Sequence, residues 1–153
     1  MRLLDELKEF LQRKNVLAKD RTGAPADLEV QAATALVLLE AAHGDESYEW
    51  REHRAIVHGL ERAFGLGSAE VRELLRRSEE IRPPRVRLSD VTQVIRDRFD
   101  PAQRREVLRL LWQVVDADGF VEEWERSFAA HIARAVDVPD EEVTAARQES
   151  RTR

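Results

Sequence analysis

The stretch Asp116-Ala117-Asp118-Gly119-Phe120-Val121-Glu122-Glu123-Trp124-Glu125 concentrates carboxylates at a turn and at the start of the helix that should follow it. A degraded copy, Asp45-Glu46-Ser47-Tyr48-Glu49-Trp50-Arg51-Glu52, lies 73 residues earlier, and in each copy an Asp precedes a Glu by seven positions. Hard divalent cations (calcium, magnesium or manganese) are held by several carboxylate and carbonyl oxygens, which such spacing can deliver. The candidate ligands are Asp118 and Glu125 first, then Asp116 and Glu122, with Asp45 and Glu52 in the weaker copy. Laid over a calcium-binding EF-hand loop, Asp116 takes the third position, Asp118 the fifth, Gly119 the tight sixth, Val121 the apolar eighth and Glu125 the bidentate twelfth. The first position falls on Val114, which reads as a buried helical residue, so a standard EF-hand is rejected and a shorter acidic cation site remains. The same residues also suit a purely structural role. Asp118-Gly119 is a turn dipeptide, and each acid near a helix N-terminus is favoured by about 0.3–1 kcal/mol through the helix dipole. At the level of sequence both readings stand.

The elements that must position these junctions are helical. No segment sustains two-residue alternation, whereas apolar residues recur at helical spacing throughout. Leu3, Leu4, Leu7, Phe10 and Leu11 predict a first helix, followed by a flexible link over 15–26 carrying Gly23 and Pro25. Asp27 then caps a helix to about His43 that is apolar on nearly all sides and so belongs at the centre of a bundle. Further helices are expected from about Glu49 to Phe64, from a cap at Ser68 to about Ile81, and from a cap at Ser89. Asp100-Pro101 supplies an N-cap and a first-turn proline for a second apolar helix ending near Val115. The last two run from about Glu122 to Val136 and onward from Pro139. The order repeats: central helix, acidic junction, amphipathic helix, turn, further helix. Leu39-Glu40-Ala41-Ala42-His43-Gly44-Asp45 pairs with Trp112-Gln113-Val114-Val115-Asp116-Ala117-Asp118, and Phe64-Gly65-Leu66 with Val136-Asp137-Val138 after a one-residue slip. The expectation is an all-α bundle of seven to eight helices in two pseudo-symmetric halves, its two central helices side by side and its junctions close together. Residues 1–26 form the N-terminal helix and linker, and 27–150 the helical domain.

Composition bounds what this bundle does. The chain has 153 residues, enough for one domain with its own core. With no cysteine, disulfides, iron–sulfur clusters and thiolate zinc sites are excluded. The apolar run over 32–42 is too short to span a bilayer, and the acid-interrupted N-terminus does not read as a secretory signal. A cytoplasmic location without membrane insertion is the expectation. The net charge of −5 is uneven: residues 72–109 hold eleven Arg against seven acids, and 116–149 ten acids against three Arg. Arg72, Arg76, Arg77, Arg82, Arg85 and Arg87 form the best anion or nucleic-acid candidate. Neighbouring Glu73, Glu79 and Glu80 and the lack of aromatics for base stacking favour a solvated helix face instead. His43, His53, His58 and His131 lack the spacing of a helical metal centre, and no nucleophile elbow, phosphate loop or dinucleotide glycine pattern is present. A non-enzymatic protein is expected. Trp112 reads as core, whereas Trp50 and Trp124 lie beside the junction carboxylates, to shield them from water or to present a surface to a protein partner.

Paired apolar helices, each followed by an acidic junction of the D-G-x-[apolar]-x-x-x-E kind, resemble the tellurite-resistance TerB family and its relatives, among them the domain preceding the J-domain in some membrane-anchored co-chaperones. The resemblance covers about residues 28–147 and is carried by LLEAAHGDESYEWREHRAI, FGLGSAEV, FDPAQRREVLRLLWQVVDADGFVEEWE and VDVPDEEV. It implies an all-helical fold, an acidic cluster meeting divalent cations, and a part in responses to metals or oxyanions such as tellurite. It implies no catalytic reaction. The family's acidic positions fall on Asp118 and Glu125, and more weakly on Asp45 and Glu52, where Glu46 replaces the glycine. The alternative function is a protein–protein interaction module whose acidic junctions are structural and need no metal.

Overall fold

The computed structural model describes Leu4 and residues 16–44, 48–117 and 119–151. Among the described residues there are seven helices and no strand: α1 (Leu28–His43), α2 (Trp50–Phe64), α3 (Ser68–Glu80), α4 (Leu88–Arg98), α5 (Pro101–Val115), α6 (Glu123–Ala135) and α7 (Asp140–Arg151). Apart from Leu4, the helix expected over 3–11 lies outside the described residues.

The two helices read as apolar all round are the buried axes of the bundle. In α1, Val30 and the run Ala33 to Leu39 are buried, and in α5 so is Glu106 to Trp112 together with Val114 and Val115. Such helices can exist only if neighbours cover every side. Accordingly α1 packs on α2, α3, α4, α5 and α6, while α5 packs on α1, α2, α6 and α7. The halves α1-α2-α3 and α5-α6-α7 repeat one packing scheme, with α4 linking them and lying on α1 and α6. Left-handed backbone recurs at the same place in both, at Gly65 (φ 67°) and Asp137 (φ 59°). Asp tolerates this conformation better than most side chains.

Caps set most helix starts. Asp27 accepts the Val30 N–H at 3.2 Å, and Asp100 accepts the Gln103 N–H at 2.8 Å with Pro101 in the first turn. Two expected caps shift. α3 is preceded by an extended Gly67, whose N–H is accepted by Glu70 at 3.0 Å, so Ser68 is already helical. α4 starts at Leu88 after Arg87, and Ser89 lies inside it. Residues 16–26 are not the loose link expected. Leu17 is fully buried, Lys19 bridges to Pro25, and Gln103 donates to the carbonyls of Val16 and Lys19. Asp20 accepts from the Thr22 hydroxyl at 2.6 Å and the Thr22 N–H at 2.8 Å, bonds that hold its carboxyl down at about 2. Arg98, at the end of α4, then joins Asp20 to the α1 cap Asp27 at 3.3 and 3.0 Å.

Candidate functional site: the paired helix junctions

Each junction runs from the end of a central helix to the third residue of the next. At its far edge the two halves use one device. Glu52 accepts the Glu49 N–H at 3.1 Å, and Glu125 accepts the Glu122 N–H at 2.9 Å. In each case a carboxylate in the first turn satisfies a backbone donor that the helix start leaves open. Glu52 and Glu125 are only 5% and 4% exposed, so these bonds lie within the packed structure. α5 performs the same cap with an amide, Gln103 accepting the Asp100 N–H at 2.9 Å.

The junctions touch. A Cβ placed on Gly44, at the end of α1, would stand 2.0 Å from the Trp124 ring. The indole therefore lies directly on the Gly44 backbone. The indole N–H is fixed at 3.0 Å to the Glu122 carboxylate, which holds the ring in that position. Glu122 is thus engaged with its own helix start. Trp50, in the first junction, is 63% exposed, with the guanidinium groups of Arg51 and Arg54 at 5.4 and 5.7 Å from its ring.

At the near edge the two junctions carry their carboxylate on opposite helices. Asp116 lies 3.8 Å from Arg147 and 3.6 Å from Arg151, both on α7. Its counterpart His43 lies 3.1 Å from Glu79 on α3. Carried 72 positions along the chain, Glu79 becomes Arg151, so the second pair places its acid at the end of the central helix where the first places it on the third helix. Both tie the end of a central helix to the third helix of its half. His43 also meets Tyr48 edge-on at 4.4 Å, and the Tyr48 hydroxyl sits 2.8 Å from His53 Nδ1. Burial, with the Glu79 and Glu52 carboxylates behind it, pushes the Tyr48 phenol up to about 12.

The six candidate ligands thus have separate placements. Glu125 and Glu52 are buried helix caps, Asp116 faces two arginines, and Glu122 binds an indole. Asp118 and Asp45 lie outside the described residues. Among the described residues, no three His, Asp or Glu side chains converge as a metal site. Sequence reading missed the α7 arginines. Extending the repeat past Val143 by the 72-residue offset would have found Arg151 opposite Glu79.

Residues 31–148 match the family described as tellurite resistance protein TerB. The chain belongs to the TerB family. The matched span begins within α1 and ends within α7, so it contains both junctions. Among solved structures, the fold is shared with a crystal structure of a protein of unknown function from Porphyromonas gingivalis W83. The TM-score is 0.64 at 18% identity, covering 84% of this chain and 98% of that one. At that identity the likeness speaks for the TerB-like bundle alone. No curated protein matches the chain. Among the described residues, no helix is long and apolar enough to cross a membrane.

Proposed function

We propose that this TerB-family chain is a non-enzymatic protein-interaction module whose junction carboxylates serve the fold. The observation that carries this reading is their engagement: buried Glu52 and Glu125 cap helices, and Asp116 faces Arg147 and Arg151. What the first junction offers to the outside is an aromatic and cationic surface, the exposed Trp50 ring flanked by Arg51 and Arg54. Tryptophan and arginine are the side chains most often found at the energetic centre of protein interfaces, and the pair of cations favours an acidic partner segment.

A second reading, a divalent cation at Asp118 and Glu125 acting in a response to metals or oxyanions, draws support from Gly119. Its φ of 79° gives the turn the left-handed glycine that a cation loop needs between its ligands. One substitution separates the readings. Glu125→Gln retains the acceptor oxygen, as Gln103 does at the start of α5. The interaction module should therefore keep its melting temperature on Glu125→Gln and show no shift with calcium, magnesium or manganese. A melting temperature that rises with one of these ions and loses that rise on Glu125→Gln would establish the cation reading. A photocrosslinker at position 54 tests the surface, the expected outcome being a discrete adduct in the native host that Trp50→Ala removes.

A further inference from the structure

The repeat places unlike side chains at one equivalent point of the two halves. In the second half Trp112 of α5 is buried, and the Arg147 guanidinium lies 4.4 Å from its ring. The equivalent residues of the first half are Leu39, at the 73-residue offset, and Leu75, at the 72-residue offset that aligns α3 with α7. Neither leucine supplies a ring or a cation. Between α1, α2 and α3 a cavity of about 440 Å³ opens at this point, lined by Leu39, Leu75, Tyr48, Val57 and Val71. Its volume lies in the range of small-molecule sites, roughly 300–1,000 Å³, and its wall surface is mainly apolar, with polar groups supplied by His53, Ser68, Arg72, Arg76 and Glu79.

The charges around it are unevenly satisfied. Arg76 is bonded to Glu73 and Glu80, and Glu79 is paired with His43 and Arg82. Arg72 lines the same cavity and has no ion pair or hydrogen bond among the described residues. A larger cavity of about 600 Å³ between α2 and α5 has no comparable feature: Arg109 at its wall is held by Glu106 through two bonds of 2.8 and 2.6 Å, and Asp116 by Arg151.

We propose that the cavity of the first half binds a small aromatic carboxylate. The ring takes the place that the Trp112 indole occupies in the second half, and the carboxylate pairs with Arg72. An apolar cavity ringed by Leu39, Leu75, Val57 and the Tyr48 ring favours a flat hydrophobic group. A guanidinium at the rim favours a carboxylate through paired, charge-assisted hydrogen bonds. This site is separate from the junction carboxylates and from the Trp50 surface.

Calorimetric titration with indole-3-acetate as the probe tests it, with indole-3-acetamide as the uncharged comparator and acetate as the ringless one. Saturable binding of indole-3-acetate is expected, at least tenfold tighter than either comparator. Arg72→Gln should bring indole-3-acetate down to the level of the amide. Leu39→Trp, which installs the second half's own indole, should abolish binding and raise the melting temperature. If Leu39→Trp does not fold, Val57→Phe at the half-buried edge should block the same space. Absence of saturable binding, or binding unchanged by the space-filling variant or by Arg72→Gln, would overturn the proposal.

Discussion

The first and second halves carry the same three-helix scheme and the same glutamate cap, yet differ in the tryptophan, the central-helix side chain and the polar pair that join each junction to its surroundings. The second junction is closed: Trp124 covers Gly44, Trp112 fills the space beside α7, and Asp116 is held from the cationic side by Arg147 and Arg151. The first is open: Trp50 is exposed, Leu39 leaves a cavity, and the acid of the polar pair lies on the other helix, as His43–Glu79. What this teaches is that the conserved geometry of a repeat constrains backbone and caps, while the charge and bulk at equivalent points are free to diverge. Such a polar pair can invert because the attraction depends on the two partners and not on which helix carries which.

The sharpest way to break the contrast is at the contact between the halves. Gly44 has an ordinary helical φ of −59°, so substitution there acts through the Trp124 ring and not through backbone strain. Gly44→Ala should destabilise by about 2–3 kcal/mol, the upper part of the usual overpacking range. Much of that cost should disappear when Trp124→Leu is already present, which a double-mutant cycle of denaturation midpoints would measure. Equal costs in both backgrounds would mean that the junctions are not coupled through this ring.

A smaller effect comes from transplanting the second half's ion pair. Glu79→Arg alone places a cation beside His43 and Arg82 and should cost about 1 kcal/mol, at the upper end for a partly exposed pair. His43→Asp with Glu79→Arg recreates Asp116–Arg151 in the first half and should recover most of the loss. A double variant no more stable than Glu79→Arg alone would reject the equivalence.

The smallest effect concerns the one anchor for which no counterpart is described in front of the second half. Asp20 has its carboxyl held at about 2, chiefly by the Thr22 hydroxyl and N–H, below its ordinary value near 3.8. A group with a lowered folded value contributes stability that is complete above about pH 4 and lost as the pH falls through about 2. Thr22→Val should therefore lower stability slightly at pH 7, with the loss fading as the pH falls through about 2, where the carboxyl is protonated with or without the Thr22 hydroxyl. Thermal denaturation as a function of pH would detect this. An unchanged acid limb would remove Asp20 from the acid response.

Much of the fold was legible because its signals are local. Asp27 and Asp100-Pro101 mark helix starts through their own hydrogen-bonding chemistry, and the unbroken apolar runs of α1 and α5 announce that both helices must be surrounded. Ser68 and Ser89 misled because a serine near a helix start resembles a cap. In α3, Glu70 accepts the Gly67 N–H, and Ser68 falls inside the helix by one residue. The site was legible only in part. Glu125 and Glu52 stand out in the sequence as a matched pair, but their spacing is the same for a cation ligand and for a capping acid. Trp50 and Trp124 looked alike in sequence, and nothing local distinguishes the exposed ring from the one laid on Gly44.

The sequence by itself determined that this chain is an all-α TerB-family bundle with a duplicated central helix, junction and amphipathic helix, because apolar periodicity and capping residues act over a few positions. Tertiary structure decided what each junction residue faces. Asp116 meets arginines more than thirty positions away, Trp124 meets a glycine eighty positions away, and Leu39 meets a cavity where its counterpart is a tryptophan. Those outcomes depend on which helix packs beside which, and no local spacing encodes that.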